Sequence, residues 1–308
     1  MEPMEGRPMK FIACDWGTSR LRLRWHGLEG LREIASDDGA SRLAVRGEDR
    51  ARLFREALRE AMLQLDAPVG MPVLVSGMAS SSIGWRELPY ATLPFSLTGS
   101  DVVGEWVESD VYLISGVRGE SDMMRGEETQ ALGWAEQVGE ALPDQATLIL
   151  PGTHSKHLRI DRGAIMAITT FMTGELFELL CQHSVLRHSV AADAPWDPAA
   201  FREGVAASAE DRLTSSLFQV RTRQVLAAQT GAANRSFLSG LLIGSELRAL
   251  GSGETPIVLA AGPALRESYS MAAADCGLAS RWSAIEVDGL AELGQRRLWK
   301  RLAPSTGN

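Results

Sequence analysis

Two short segments of the sequence place glycine, threonine and serine between strand-like runs. The first is CDWGTSRLRLRW, residues 14–25, and the second is PGTHSKHLRI, residues 151–160. The backbone N–H groups of a glycine turn can converge on an anion, and Thr or Ser hydroxyls add further donors. The pattern therefore predicts two phosphate-binding tips. Their candidate ligands are Gly17, Thr18 and Ser19 in the first tip, and Gly152, Thr153, His154 and Lys156 in the second.

The basic residues of the second tip also suit a phosphate. The chain contains 31 lysines and arginines together, of which only Lys10, Lys156 and Lys300 are lysines. A lysine ammonium serves as a point charge in phosphate loops, and we assign Lys156 that role at an exposed tip. His154 and His157 are spaced like zinc ligands, but no third ligand lies near them. Hydrogen bonding to phosphate, or the structure of the tip itself, is therefore the favoured interpretation of both histidines.

Asp15 directly precedes the first tip and would repel a phosphate group. A carboxylate in this position is useful if a cation lies between the two anions. Mg²⁺ binds one or two carboxylates together with phosphate oxygens and water. We therefore predict a magnesium site with Asp15 as its protein ligand.

The tips require strands on either side, and the sequence supplies them. After the first tip, Leu21, Leu23 and Trp25 alternate with arginines, which is the period of a half-buried strand. Each half then runs through a further strand into helices, among them residues 49–65 and 234–250. The repeated order predicts a duplicated α/β fold with mixed sheets flanked by helices, divided into residues 1–142 and 143–308. Thr173 is expected to cap the helix that it precedes.

Composition narrows the class of protein. The chain has 308 residues, 45% of them hydrophobic and 23% charged, and a net charge of −8. The negative charge argues against nucleic acid as a partner, because such binding relies on neutralising phosphates. Three cysteines follow no metal or disulfide spacing, and no run of about 18 apolar residues occurs. We therefore expect a cytoplasmic protein that does not bind membranes.

The two tips carry a resemblance to a known superfamily. Asp15-x-Gly17-Thr18, the second Gly-Thr hairpin and VLAAGP at 258–263 together resemble the actin, hexokinase and Hsp70 superfamily. The resemblance implies two actin/ribonuclease H-like domains around an interdomain cleft. It also implies that the tips are the two phosphate hairpins and that Gly262 and Pro263 form the adenosine loop, with ATP as the nucleotide.

Six further segments resemble one kinase family. They are SGM at 76–78, GWRELPY at 84–90, MRGEETQALG at 124–133, PGTHSKH at 151–157, MTGELFELL at 172–180 and FLSGLLIG at 237–244. Together they span nearly the whole chain and are similar to the 2-dehydro-3-deoxygalactonokinases. The resemblance implies phosphoryl transfer from ATP to the 6-hydroxyl of 2-dehydro-3-deoxy-D-galactonate, in galactonate catabolism.

The same resemblance suggests the residues that touch the sugar acid. Related sugar kinases have an Asp at the start of the helix before the second phosphate hairpin, whereas this chain has Glu127 and Glu128 there. One of them is the predicted catalytic base, with Glu127 slightly favoured and Asp122 a distant third. An arginine should bind the substrate carboxylate. The predicted substrate contacts are Ser76, Met78, Trp85, Tyr90, Arg118 and Arg125.

Two other functions share some of these features. A phosphohydrolase of the same superfamily would have both hairpins but would activate water. A non-catalytic sensor of sugar acids or nucleotides is less consistent with the sequence, because no basic helix-turn-helix segment precedes residue 10. The sequence leaves open the preferred epimer and a homodimeric assembly.

Overall fold

The computed structural model of the protein describes residues 10–44, 49–210 and 212–302. These residues divide into two compact units. The first unit contains the described residues up to Asp144, the segment Ile160–Ile168 and the described residues from Asp288 onward. The second unit contains Gln145–Arg159 and Thr169–Val287. The boundary between residues 142 and 143 that the sequence suggests stays a prediction.

Strands and helices alternate along the described chain. The strands are β1 (Ile12–Trp16), β2 (Leu21–Gly27), β3 (Gly30–Ser36), β4 (Val73–Gly77), β5 (Ala91–Thr92), β6 (Phe95–Ser96), β7 (Gly104–Glu108), β8 (Val111–Ile114), β9 (Val117–Arg118), β10 (Met123–Met124), β11 (Gln145–Leu150), β12 (Ser155–Asp161), β13 (Ala164–Phe171), β14 (Ile257–Ala260) and β15 (Trp282–Ile285). The helices are α1 (Ala40–Ala44), α2 (Arg50–Gln64), α3 (Glu127–Val138), α4 (Thr173–Gln182), α5 (Pro198–Ala207), α6 (Leu213–Ala227), α7 (Gly231–Arg248), α8 (Pro263–Asp275) and α9 (Leu290–Leu302).

The first unit is built on a mixed sheet with the strand order β3-β2-β1-β4-β8-β7. β1 pairs antiparallel with β2 and parallel with β4. The alternation in the sequence has the expected result, because Leu21 and Leu23 are buried whereas Arg22 is exposed. A smaller sheet, β10-β9-β5, leads into α3. The first tip therefore leaves the sheet at the end of β1, next to the end of β4.

Two helices of the first unit pack against each other without intervening side chains. A Cβ atom on Gly133 of α3 would overlap the carbonyl oxygen of Leu290, and one on Gly294 of α9 would overlap that of Thr129. Glycine at both positions lets the backbones of α3 and α9 touch. The C-terminal helix thus supports the helix whose first residues are Glu127 and Glu128.

The second unit is built on β15, β14, β11 and the first residues of β12, which are neighbours in that order. β11, β14 and β15 run parallel. The segment Ile160–Ile168 belongs to the first unit, where Ala164 and Ile165 pair with β6. The long helix α7 packs on α5 through Gly240, whose missing Cβ makes room for the carbonyl oxygen of Phe201.

The predicted strands and helices are confirmed in type, and one predicted cap is wrong. Met172 occupies the cap position of α4, and its side chain makes no capping hydrogen bond. Thr173 is the first helical residue, and its hydroxyl donates to the carboxylate of Glu246. The hydroxyl therefore serves a tertiary contact rather than the backbone of its own helix.

Candidate functional site

The first Gly-Thr tip is a tight turn held by its own backbone. Gly17 N–H donates to the carbonyl oxygen of Arg20 over 2.8 Å. The carbonyl oxygens of Gly17 and Thr18 accept hydrogen bonds from two backbone N–H groups at the start of α1. Thr18 and Ser19 are exposed. Because the Gly17 N–H closes the turn, Thr18 and Ser19 are the residues that the tip presents to a ligand.

Asp15 lies on β1, just before the tip that begins at Gly17, and it pairs with Arg22 on β2. Burial raises the pKa of its carboxyl group, and the charges of Arg22 and Arg24 only partly oppose that rise. A raised pKa means that surrounding protein groups do not fully compensate the ionised carboxylate. A cation that arrives with a ligand would supply the missing compensation.

Gly77 at the end of β4 brings Asp15 close to the start of α3. Its φ of 91° favours glycine, and a Cβ atom there would lie 2.5 Å from the carbonyl oxygen of Trp16 and 3.5 Å from Asp15 Oδ1. The Cα atom of Gly77 in turn lies 3.4 Å from the position of a Cβ atom on Gly126. Asp15 and the N-terminus of α3 therefore share one corner of the first unit.

The two glutamates at the start of α3 have different environments. Glu128 is fully buried, and its Oε1 and Oε2 accept from Gly126 N–H over 3.0 and 2.7 Å. Burial and the charge of Glu127 raise the pKa of Glu128 to about 7. Glu127 is half-buried, and its Oε2 accepts from Arg125 N–H over 3.0 Å. Glu128 therefore satisfies the end of its own helix, whereas Glu127 reaches the surface.

Arg125 is held in a defined orientation immediately before α3. Its Nη1 donates to the carbonyl oxygen and to Oγ of Ser80, each over 2.6 Å. The guanidinium carbon lies 4.1 Å from the ring centre of Tyr90, a distance typical of cation–π stacking. Arg125 Nε is buried and has no hydrogen-bond partner among the described residues. The structure thus brings Arg125 and Tyr90 together, as two of the predicted substrate contacts.

Ser76 does not lie at an accessible surface. It is buried between β1 and β4, and its Oγ accepts from Gln295 Nε2 over 2.9 Å. Gln295 Nε2 also donates to the carbonyl oxygen of Cys14 over 2.7 Å. The contact of Ser76 with substrate stays a prediction, and in this structure its hydroxyl faces α9 inside the unit.

The remaining predicted substrate residues fall in different places. Trp85 is buried and packs on Trp16 and Phe54, with ring centres 6.3 Å away in both cases, and its contact with the sugar stays a prediction. Met78 is half-buried and packs against the same hydrophobic core. Arg118 is exposed at the end of β9. The sequence alone did not show which aromatic side chains are buried in the core and which lie at the surface.

The second tip rests on the N-terminus of α4. Gly152, Thr153 and His154 are exposed, and the carbonyl oxygen of Thr153 accepts from Glu175 N–H over 2.9 Å. A Cβ atom on Gly174 would overlap the carbonyl oxygen of Gly152, so only glycine permits this approach. His154 Nε2 lies 2.5 Å from Glu175 Oε2. The tip and a helix N-terminus, both suited to anions, thus lie side by side.

Lys156 differs from its expected position. It is buried, with 6% of its surface exposed, and its Nζ donates to Thr170 Oγ1 on β13 over 2.8 Å. The prediction of an exposed tip residue is wrong, because Lys156 lies within β12 and not in the turn. Its substitution is therefore expected to affect the fold as well as any ligand.

A buried carboxylate lies beneath the second tip. Glu246 of α7 is 2% exposed. Its Oε1 accepts from Ser155 Oγ over 2.7 Å and lies 2.9 Å from His157 Nε2. Its Oε2 accepts from the hydroxyls of Thr173 and Tyr269, the latter over 2.9 Å. These four partners come from β12, α4 and α8.

Glu246 is not among the predicted site residues, although the helical period contains a signal. Leu238, Leu242 and Glu246 are spaced by four residues, so they share one face of α7. Leu238 and Leu242 are buried in the core. A single glutamate on an otherwise apolar helical face indicates a buried polar contact.

A cavity of about 150 Å³ lies beside the second tip. Its walls are mostly apolar, and they combine the base of the tip, the start of α4, one face of α7 and the first turns of α8. The lining residues are Pro151, Gly152, Thr173, Gly174, Phe177, Ser239, Leu242, Ile243, Leu265 and Tyr269. Gly262 caps α8 and Pro263 is its first residue, so the predicted adenosine loop begins the helix that carries Leu265 and Tyr269.

Residues 10–44, 49–210 and 212–302 contain no cluster of three or more His, Cys, Asp or Glu side chains able to hold a metal ion. Among those same residues, no helix has the length and apolar character needed to cross a membrane.

Mixed sheets flanked by helices, with one Gly-Thr tip in each unit, are the architecture of the actin-like ATPases and sugar kinases. Comparison with known proteins narrows this class to one family. A family model described as 2-keto-3-deoxy-galactonokinase matches residues 15–297. Because this match covers most of the chain, the protein belongs to the 2-keto-3-deoxy-galactonokinase family, a family of kinases that use ATP.

Individual relatives agree with this assignment. The chain is 33% identical over 311 residues to the "Probable 2-dehydro-3-deoxygalactonokinase DgoK1" of Rhizobium meliloti (strain 1021), covering 94% of this chain and 97% of the relative. It is 32% identical over 278 residues to the 2-dehydro-3-deoxygalactonokinase of Escherichia coli (strain K12), covering 85% and 89%. A crystal structure described as a "putative 2-dehydro-3-deoxygalactonokinase protein from Sinorhizobium meliloti" superposes with a TM-score of 0.85 at 31% identity, covering 97% and 98%. The predicted fold class is confirmed.

Proposed function

We propose that the protein transfers the terminal phosphoryl group of ATP to the 6-hydroxyl of 2-dehydro-3-deoxy-D-galactonate. The observation that carries this proposal is the family match over residues 15–297. The groups needed for such a reaction are present in the two units: an acidic helix start and a fixed arginine in one, and a phosphate-type tip beside an apolar cavity in the other.

Arg125 and Tyr90 are the proposed contacts for the sugar acid. Nη1 of Arg125 is already bonded to Ser80, which fixes the plane of the guanidinium. We assign the substrate carboxylate to the edge that includes Nε, because a buried donor without a partner is costly unless a ligand satisfies it. The ring of Tyr90 stacks against the guanidinium group of Arg125. Arg118, which is exposed, is a second candidate for binding the substrate carboxylate.

Glu127 is the proposed catalytic base. A base must reach the hydroxyl proton, and Glu127 is half-buried whereas Glu128 is fully buried. Both oxygens of Glu128 accept from Gly126 N–H, so Glu128 is engaged in holding the helix start. In the proposed reaction the Glu127 carboxylate accepts the proton of the 6-hydroxyl as that oxygen attacks the phosphorus atom.

Thr18 and Ser19, together with the second tip, are the proposed ligands of the ATP phosphates. Gly152 and Thr153 are exposed beside the N-terminus of α4, which favours negative charge. His154 would join them by exchanging its contact with Glu175 for one with phosphate. The apolar cavity next to Gly152 is the proposed place of the adenine ring, and Gly262 and Pro263 begin the helix that contributes Leu265 and Tyr269 to its wall.

Asp15 is the proposed protein ligand of Mg²⁺. Its carboxyl group has a raised pKa that a cation would reverse, and no cluster of three ligands is found among the described residues. A single carboxylate suits an ion that completes its shell with phosphate oxygens and water. When bound, Mg²⁺ would neutralise charge on the phosphates.

We also propose a cytoplasmic location. The three cysteines are free, as expected in a reducing compartment. A homodimer and the division at residue 142 stay predictions.

The test of this function is ADP release with ATP, MgCl₂ and a panel of 2-keto-3-deoxy sugar acids that differ in one hydroxyl. We expect turnover that depends on the sugar acid, with the highest kcat/KM for 2-dehydro-3-deoxygalactonate. ADP release at one rate with and without any sugar acid would instead indicate a phosphohydrolase.

A further inference from the structure

Glu246 collects four donors from three elements that surround the proposed nucleotide site. Ser155 and His157 follow the second tip on β12, Thr173 begins α4, and Tyr269 lies on α8. A carboxylate has about four acceptor positions, and here four donors are directed at its two oxygens. One side chain of α7 thereby connects the base of the tip to the start of α4 and to the second turn of α8.

The partners of Glu246 are arranged as donors. Burial and the charge of Glu246 raise the pKa of Tyr269 well above its ordinary value, so its hydroxyl keeps its proton and donates. Ser155 is fully buried, which leaves no water to replace the carboxylate as its acceptor. Loss of the carboxylate would therefore leave buried donors unsatisfied, and their elements would move to find new partners.

Three of the residues concerned lie at or next to the proposed ligand-binding surface. Thr173 and Tyr269 line the apolar cavity. Ser155 directly follows the exposed residues of the tip, and Gly174, next to Thr173, contacts Gly152. A shift of any bonded element would change the spacing between the phosphate ligands and the adenine cavity.

From this geometry we propose that Glu246 is a positioning residue for ATP: it holds the second tip, the start of α4 and the first turns of α8 at the separation that the nucleotide requires. Glu246 touches no reacting atom in this arrangement. The inference rests on the proposed function only in taking the cavity and the tip as the ATP site.

The test compares three substitutions that weaken the cluster by different amounts. Glu246→Gln keeps the shape but has one acceptor oxygen where the carboxylate has two. Tyr269→Phe removes one hydroxyl and keeps the ring in the cavity wall, and Thr173→Val removes another. Glu292→Gln is the matched control, because Glu292 is also buried and also lies 2.9 Å from a histidine, His26, but belongs to the first unit.

Binding of a non-hydrolysable ATP analogue is measured by calorimetry below the melting temperature of each variant. We expect Glu246→Gln to raise the Kd about tenfold, and each hydroxyl deletion to raise it about threefold, with the fitted stoichiometry unchanged. The KM for ATP should rise in parallel while the KM for the sugar acid stays within about twofold. Glu292→Gln should leave the Kd unchanged.

A purely structural role would give a different result. It would lower the melting temperature and the fraction of competent protein, seen as a reduced stoichiometry, without changing the Kd. That result, or Kd values within about twofold of wild type in Tyr269→Phe and Thr173→Val, would overturn the inference even if Glu246→Gln fails to fold. Wild-type protein that binds the nucleotide but phosphorylates no sugar acid would contradict the proposed function alone.

Discussion

At the scale of single residues, adjacent glutamates at the start of α3 make different contacts. Glu128 turns back onto the N–H of Gly126, which compensates one of the unsatisfied donors at the helix start. Glu127 keeps part of its surface exposed beside Arg125. Helical periodicity could not choose between them, because the choice depends on how each carboxylate folds around the helix terminus.

The assignment of the base predicts unequal effects of neutral substitutions. Glu127→Gln should lower kcat by about two to four orders of magnitude, the usual contribution of general base catalysis. Glu128→Gln should act mainly on stability or binding. Glu136→Gln is the control on the same helix, since Glu136 bonds Arg297 and Lys300. Steady-state kinetics with the sugar acid measure these effects. Near-normal kcat in both glutamate variants would contradict the assignment and make Asp122 the next candidate for the base.

The environment of Glu128 predicts a pH dependence of stability. Because its pKa is raised to about 7 in the folded protein, the folded state favours the protonated carboxyl. This contribution is complete below the unfolded pKa, near 4.5, and is lost as the pH rises through 7. The loss amounts to roughly 3 kcal/mol for a shift of this size.

Glutamine resembles the protonated form, so Glu128→Gln removes this titration. Its melting temperature should match wild type near pH 4 and exceed it progressively as the pH rises towards 8. Thermal unfolding at several pH values, followed by circular dichroism, measures the difference. A difference between the two proteins that is constant with pH would show that Glu128 does not titrate in this range.

At the scale of elements, the contact between α3 and α9 supports the helix start that carries the proposed catalytic base. A Cβ atom on Gly133 would overlap the backbone of Leu290, so Gly133→Ala must separate the helices. We expect a loss of about 1–3 kcal/mol in stability and a fall in kcat, because the first turn of α3 moves with the helix. Gly253→Ala is the control, since a Cβ atom there meets only Arg281 Nη1 at 3.9 Å. An unchanged melting temperature in Gly133→Ala would contradict the close packing.

The elements themselves could be predicted from the sequence, but their contacts could not. The alternation of apolar and basic residues in LRLRW and the helical spacing of apolar residues within 49–65 are local features of the sequence. They correctly predicted β2 and α2. The burial of Ser76 and Trp85 could not be predicted, because it depends on α9 and α2, which are distant in sequence. The exposure of Lys156 was wrongly predicted because β12 already begins at Ser155, which places Lys156 in the strand and not in the turn. The motifs identified the chemistry, whereas packing decided which side chains remain accessible.

At the scale of the whole molecule, the duplicated order of strands, tips and helices indicated a two-unit α/β protein, and the family match supplied the reaction. The net charge of −8 means that anionic substrates must find local positive or N–H-rich sites. The second tip beside the N-terminus of α4 and the fixed guanidinium of Arg125 are such sites. Neither the charge nor the fold distinguishes transfer to a sugar acid from transfer to water.

Phosphorus NMR of one reaction mixture makes that distinction most directly. Protein, ATP, MgCl₂ and 2-dehydro-3-deoxygalactonate are followed until the γ-phosphate signal has decayed. We expect an equal amount of a phosphomonoester whose phosphorus couples to the two protons on carbon 6, with ADP as the other product. Inorganic phosphate as the only new signal, formed equally fast without the sugar acid, would contradict the assignment as a sugar-acid kinase.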